Sequence, residues 1–131
     1  MGKRKPPAHA WKERELHDWN AHTFLAFLRD RHAEIFGIKY VPANIRMELG
    51  MIRRMIDEYG PEVTLRFIEK CFEWYKLHGK RPAINFSYMN SHYMRPKILP
   101  IVLNELAKKT KHAETKRSAR EASDSEWDSL F

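Results

Sequence analysis

The chain has 131 residues, 43% of them hydrophobic and 31% charged, with five glycines, one cysteine and a formal net charge of +7. That is one domain's worth of core plus tails, a small soluble helical protein by composition, with a cation excess suited to phosphate-bearing partners. The lone Cys71 excludes an intramolecular disulfide framework and fits a reducing compartment, and no apolar run approaches the roughly 18 residues of a membrane span.

The opening Gly2-Lys3-Arg4-Lys5-Pro6-Pro7 leads into further charges rather than an apolar signal core, so the expected location is the cytoplasm. Residues 1–16 carry five basic and two acidic side chains, two prolines and little apolar periodicity. They read as a flexible basic arm ahead of a helical core domain over 17–106.

The first predicted helix runs from Asn20 or Thr23 to Phe36, with Phe24, Phe27, Leu28, Arg31 and Ile35 on one face and Gly37 as its stop. Ile38-Lys39-Tyr40-Val41 then alternates in the manner of a short extended stretch before Pro42. Asn44 is placed to cap a second helix whose apolar residues Ile45, Leu49, Ile52, Ile56 and Tyr59 recur at helical spacing until Gly60. Pro61 suits the first position of a third helix, in which Thr64, Ile68, Cys71, Phe72 and Tyr75 share a face up to His78-Gly79. Cys71 sits on that apolar face, which points to packing rather than chemistry.

Beyond Pro82 the pattern loosens into a turn and a short helix ending near Tyr93. A last helix follows, begun by Ile98, Ile101, Val102 and Leu106, with Pro100 in its first turn, where amides lack intrahelical partners anyway. Its apolar stripe fades after Leu106, and residues 107–122 read as a basic helical extension. The fold class is therefore all-α, a bundle of four or five helices with a basic arm and an acidic C-terminal tail over 123–131.

Charge is distributed unevenly along this frame. Between Glu73 and Glu105 lie 31 residues without one acidic side chain, yet they hold Lys76, Lys80, Arg81, Arg95, Lys97, Trp74, Tyr75, Phe86, Tyr88 and Tyr93. Phosphates need cations free of competing carboxylates, and unpaired bases stack on aromatic rings for roughly 1–3 kcal/mol each. The opposing reading makes the aromatics core and the cations a solvated surface. A second basic run, Lys108-Lys109-Thr110-Lys111-His112, continues to Lys116, Arg117 and Arg120 against Glu114 alone. Helical throughout, residues 105–122 would extend about 27 Å at 1.5 Å per residue, enough to follow a phosphate backbone. The nucleic-acid candidates are Lys80, Arg81, Arg95, Lys97, Lys108, Lys109 and Lys111 for phosphates, with Tyr88 and Tyr93 for bases.

The last residues reverse the sign. Trp127, Asp128, Ser129, Leu130 and Phe131 set large apolar groups among carboxylates, too few to build a core and suited to ordering in a partner's pocket. Burying the three large side chains contributes roughly 1.5–3 kcal/mol each, less roughly 2–5 kcal/mol of ordering, which leaves at best micromolar-class affinity. The alternative is that Trp127 or Phe131 folds back on the protein's own core. Glu121, Asp124, Glu126 and Asp128 also follow the basic run closely enough to occupy its phosphate-binding surface when no DNA is present.

Ser129-Leu130-Phe131 resembles the end of the peptide with which bacterial and phage proteins dock on the DNA sliding clamp, commonly Gln-Leu-Ser/Asp-Leu-Phe. Trp127 and Asp128 stand where that pattern has Gln and Leu. The acidic tails of bacterial single-strand DNA-binding proteins and of phage late-transcription factors that ride the clamp look similar. Residues 19–106, with Tyr59-Gly60-Pro61-Glu62, Phe67-Ile68-Glu69-Lys70 and Arg81-Pro82-Ala83-Ile84-Asn85-Phe86, are similar in organisation to small helical phage proteins such as replisome organisers and helicase loaders. These resemblances imply a phage-type accessory protein in the host cytoplasm, with the sliding clamp, DNA, and RNA polymerase or a replicative helicase as partners.

Catalytic motifs are missing from the sequence. His17 and His22 are five apart and miss the i, i+4 metal pair; no CxxC, Walker loop, GxGxxG or GxSxG occurs; and Asp57-Glu58 has no predicted carboxylate partner. The expectation is a protein without enzymatic activity, metal or cofactor that recruits by its tail and contacts DNA or a second protein by its body. Two rivals are a coactivator whose body binds polymerase without touching DNA, and a host-takeover inhibitor that competes for the clamp pocket.

Overall fold

The computed structural model describes residues 6–80 and 83–111. Within them the chain is all-helical, with a 3₁₀ turn at Leu16–Asp18, α1 at Ala21–Phe36, α2 at Ile45–Tyr59, α3 at Pro61–His78, a short α4 at Phe86–Met89, and α5 over 95–111.

Local chemistry sets the boundaries of these helices. Asn20 accepts the Thr23 amide at 3.0 Å while the Thr23 hydroxyl accepts the Asn20 amide, a capping box that starts α1. Asn44 accepts the Met47 amide at 3.1 Å to start α2. Gly60 is both the end of α2 and the cap of α3, and its φ of 89° with ψ of 167° is a conformation only glycine adopts readily. That single residue carries the chain from the end of α2 directly into α3.

α2 packs on α3 and α1, α1 on α3, and α4 on both α2 and α3. Phe24, Phe67, Phe72 and Phe86 are fully buried at the centre, with Phe67 and Phe86 edge to face at 6.3 Å. Side chains of this size contribute about 1.5–3 kcal/mol each on burial. The predicted face of α3 is buried as expected, with Phe67 added to it.

Four expectations need correction. The residues after Pro7 do not read as a flexible arm: Trp11 lies edge-on to Phe27 at 5.0 Å and donates from Nε1 to Asp30 at 2.6 Å, and Trp19 donates to the Arg14 carbonyl at 3.0 Å. Two indoles give this segment enough apolar area to strap onto α1; residues 1–5 lie outside the described residues. Ile38–Val41 forms no strand, because the described residues offer it no second strand to pair with; its alternation serves to bury Tyr40 alone, while Ile38 and Val41 stay exposed. The inward meridian of α2 runs through Glu48, Ile52 and Met55, leaving Ile45 exposed. Lastly, α5 begins at residue 95, so Pro96 rather than Pro100 occupies its first turn. Pro100 sits one turn further on, at an exposed position of the helix.

Candidate nucleic-acid interface

Two buried polar clips hold the loop after α1 against the segment that leads into α4. His32 on α1 is fully buried; its Nε2 accepts the Ile84 amide at 3.1 Å and its Nδ1 lies 3.0 Å from the Ile38 carbonyl. Because Nε2 must accept, the ring proton sits on Nδ1 and is donated to Ile38. Glu48 is also fully buried, and its carboxylate receives only donors: the Tyr40 hydroxyl, the Ala43 amide at 2.6 Å and the Phe86 amide at 3.2 Å. The Phe86 amide also reaches the Tyr40 oxygen at 2.9 Å. Burial, then the Glu48 hydrogen bond, raises the Tyr40 phenol far above the ordinary tyrosine range.

These clips fix one wall of a groove of ≈ 630 Å³ between the end of α3, the residue 38–43 loop and α4. Trp74, Tyr75, His78 and Lys80 come from the end of α3, Val41 and Ile84 from the clipped segments, and Tyr88 and Tyr93 from α4 and the turn after it. No Asp or Glu lines it among the described residues. The acid-free stretch of sequence thus becomes an acid-free concavity.

The aromatics divide between the two readings open at the sequence level. Tyr75 and Phe86 are buried core, whereas Tyr93 is 56% and Tyr88 38% exposed. Tyr88 stands 5.7 Å edge-on from Tyr75 and 6.3 Å from Tyr93, so the buried ring supports the exposed ones. Gly79 closes the groove floor. A Cβ there would stand 2.6 Å from the Tyr75 carbonyl oxygen and 2.7 Å from its ring, so any larger residue displaces Tyr75.

The cations separate as well. Lys97 Nζ sits 4.4 Å from the ring centres of both Trp74 and Tyr93, a cation held at the groove rim by two π faces. Lys80 lines the groove, and Lys108 and Lys109 are exposed along α5. Lys111 is exposed at the last described turn. Arg95 is instead tied down, donating to Asn90 at 2.8 Å and lying 3.8 Å from the Glu58 carboxylate and 6.0 Å from the Tyr59 ring. It clips the start of α5 to the end of α2. Arg81, residues 112–122 and the docking candidates Trp127, Asp128, Ser129, Leu130 and Phe131 lie outside the described residues.

Glu105, where the acid-free stretch of sequence ends, is turned onto α3. It accepts from Lys70 at 3.0 Å and from Arg66 at 3.5 Å, and the Lys70 hydrogen bond holds its carboxyl below the usual range. Two features escaped the sequence reading. His32 and Glu48 carried no motif, and the predicted face of α2 did not include Glu48. Glu15, His17 and Asp18 also converge within 4.8 Å at the 3₁₀ turn, where Glu15 and His17 are exposed and His17 lies 3.4 and 3.5 Å from the two carboxylates. Cys71 is buried and its thiol is pushed well above the ordinary cysteine range, which disfavours the nucleophilic thiolate.

Comparison with known proteins finds no matching family model, curated protein or solved structure.

Proposed function

We propose that the protein is a non-enzymatic accessory factor of a DNA-associated machine, with a body that binds nucleic acid and a C-terminal tail that docks on the sliding clamp or a similar pocket. The observation that carries this reading is the groove, which exposed tyrosines and Lys80 line without a carboxylate among the described residues and which Lys97 flanks over Trp74 and Tyr93. Phosphate attraction, not base reading, dominates such a surface, so binding is salt-dependent and sequence-tolerant.

The body is tested by titrating the full chain with DNA across a salt series. Contacts to about four or five phosphates give a log–log slope near −4 on duplex; absence of binding at low salt sinks the DNA reading. The tail is tested with a fluorescent Ser123–Phe131 peptide and the cognate clamp. Micromolar binding lost on removal of Leu130 and Phe131 supports the tether, and no binding removes the clamp.

One observation favours the coactivator as second reading: Ile101, 43% exposed on α5 near the cations, suits a protein contact. In that case the body binds polymerase with the same affinity at all moderate salt concentrations and leaves DNA free.

A further inference from the structure

Base faces are hidden in a duplex and open in a single strand. The groove's distinguishing feature is a ring surface, so the form of nucleic acid it accepts follows from geometry. Tyr88 is the exposed ring whose face carries no cation among the described residues, and it is braced from behind by buried Tyr75. Asn85 beside it is engaged within the protein, accepting the Tyr88 amide at 2.9 Å and donating to the Val41 carbonyl at 3.4 Å. The site offers stacking and charge, with little left over to read base edges.

A second cation lies further along the same helix face. On α5, Lys97 and Lys108 end a narrow stripe that holds Ile101 and Asn104 between them, at steps of four, three and four residues. All four are exposed. Glu105 lies off the stripe and is neutralised by Lys70 and Arg66. From Lys97 at the groove rim to Lys108 is three turns, about 16 Å at 1.5 Å per residue, or roughly five nucleotides at 3.4 Å each.

Resting on the nucleic-acid reading above, we infer that the body binds single-stranded nucleic acid: one base stacks on Tyr88 in the groove, and the phosphates run along α5 from Lys97 to Lys108. Duplex DNA meets the same lysines but has no face for Tyr88, so it binds more weakly and loses nothing when that ring is removed.

The test uses the full chain, a labelled oligodeoxythymidine of about 15 nucleotides and a duplex of matched length, measured by anisotropy. Expected is at least tenfold tighter binding of the single strand. Tyr88→Ala lowers single-strand affinity about 5- to 150-fold, the range of one base stack, while Tyr88→Phe retains it and duplex binding is unmoved. Lys108→Glu, on an exposed face remote from the core, lowers single-strand affinity independently of any effect of Tyr88 on folding. Equal affinity for both forms, or a Tyr88→Ala variant that folds and binds the single strand unchanged, overturns the inference and leaves general nucleic-acid binding standing. Failure of both forms to bind at low salt overturns both.

Discussion

The Ile84 amide donates to His32 Nε2 at 3.1 Å across 52 residues of sequence, and this bond joins the C-terminal third of α1 to the groove wall. His32→Leu preserves bulk but leaves the Ile84 amide and the Ile38 carbonyl without partners. The Ile84 amide is the buried one of the two, and an unsatisfied buried group costs about 1–3 kcal/mol, so urea unfolding should show a loss of about that size. Hydrogen exchange localises it: the Ile84 amide loses protection before the amides of α2. Undiminished protection at Ile84 would show that the clip is not holding the wall.

Glu48 and Tyr40 form the second clip, and their contributions are unequal. Glu48→Gln turns an amide NH₂ toward backbone N–H groups in a fully buried site and should cost about 2–3 kcal/mol. Tyr40→Phe removes one donor while Phe86 keeps Glu48 as acceptor, costing about 0.5–1.5 kcal/mol. Because the two share one network, the double variant should lose less than the sum of the singles. Additive losses would argue against the coupling.

Alkaline pH tests burial of the acids themselves. Tyr40 and Cys71 both have pKa values raised by burial above their ordinary values of 10.0 and 9.0. The folded state holds these protons when the unfolded chain releases them, so their stabilisation is complete below pH 9 and declines as pH rises above 9 and 10. Thermal midpoints should fall steadily there, and Tyr40→Phe should flatten the decline above pH 10. An unchanged alkaline slope in that variant would place the sensitivity elsewhere.

Helix positions were largely legible in the sequence because caps and periodicity are local: Asn20, Asn44, Gly60 and Pro61 act within a few residues of themselves. The groove was half legible. Absence of carboxylates between Glu73 and Glu105 can be counted, but which aromatics face outward depends on how α4 and the following turn lie against α3. Thus Tyr75 and Tyr88, both candidates by type, separate into brace and exposed ring. Arg95 looked equivalent to Lys97 by charge, yet Glu58 approaches it from α2, 37 residues earlier in the chain. His32 and Glu48 act across 52 and 38 residues, separations at which no periodic signal survives.

Gly79 links the end of α3 to the shape of the groove. Its φ of −72° is open to any residue, so the requirement is space and not conformation. Gly79→Ala must push aside the Tyr75 carbonyl and ring, an overpacking that costs about 1–3 kcal/mol. Chemical shifts of the Tyr75 and Tyr88 ring protons should move together, while those around Trp11 stay fixed. Movement confined to residue 79 would mean the floor yields without disturbing the rings.

The placement of Lys97 over Trp74 has an optical consequence. An ammonium 4.4 Å from an indole centre stabilises the ring's ground-state π density and sits in the path of its excited-state charge shift. Any anion that draws the lysine away alters the emission of that indole without an attached dye. Trp74 is therefore a built-in reporter of occupancy at the groove rim, and Trp74→Phe would silence that signal while leaving a ring for the lysine to rest on.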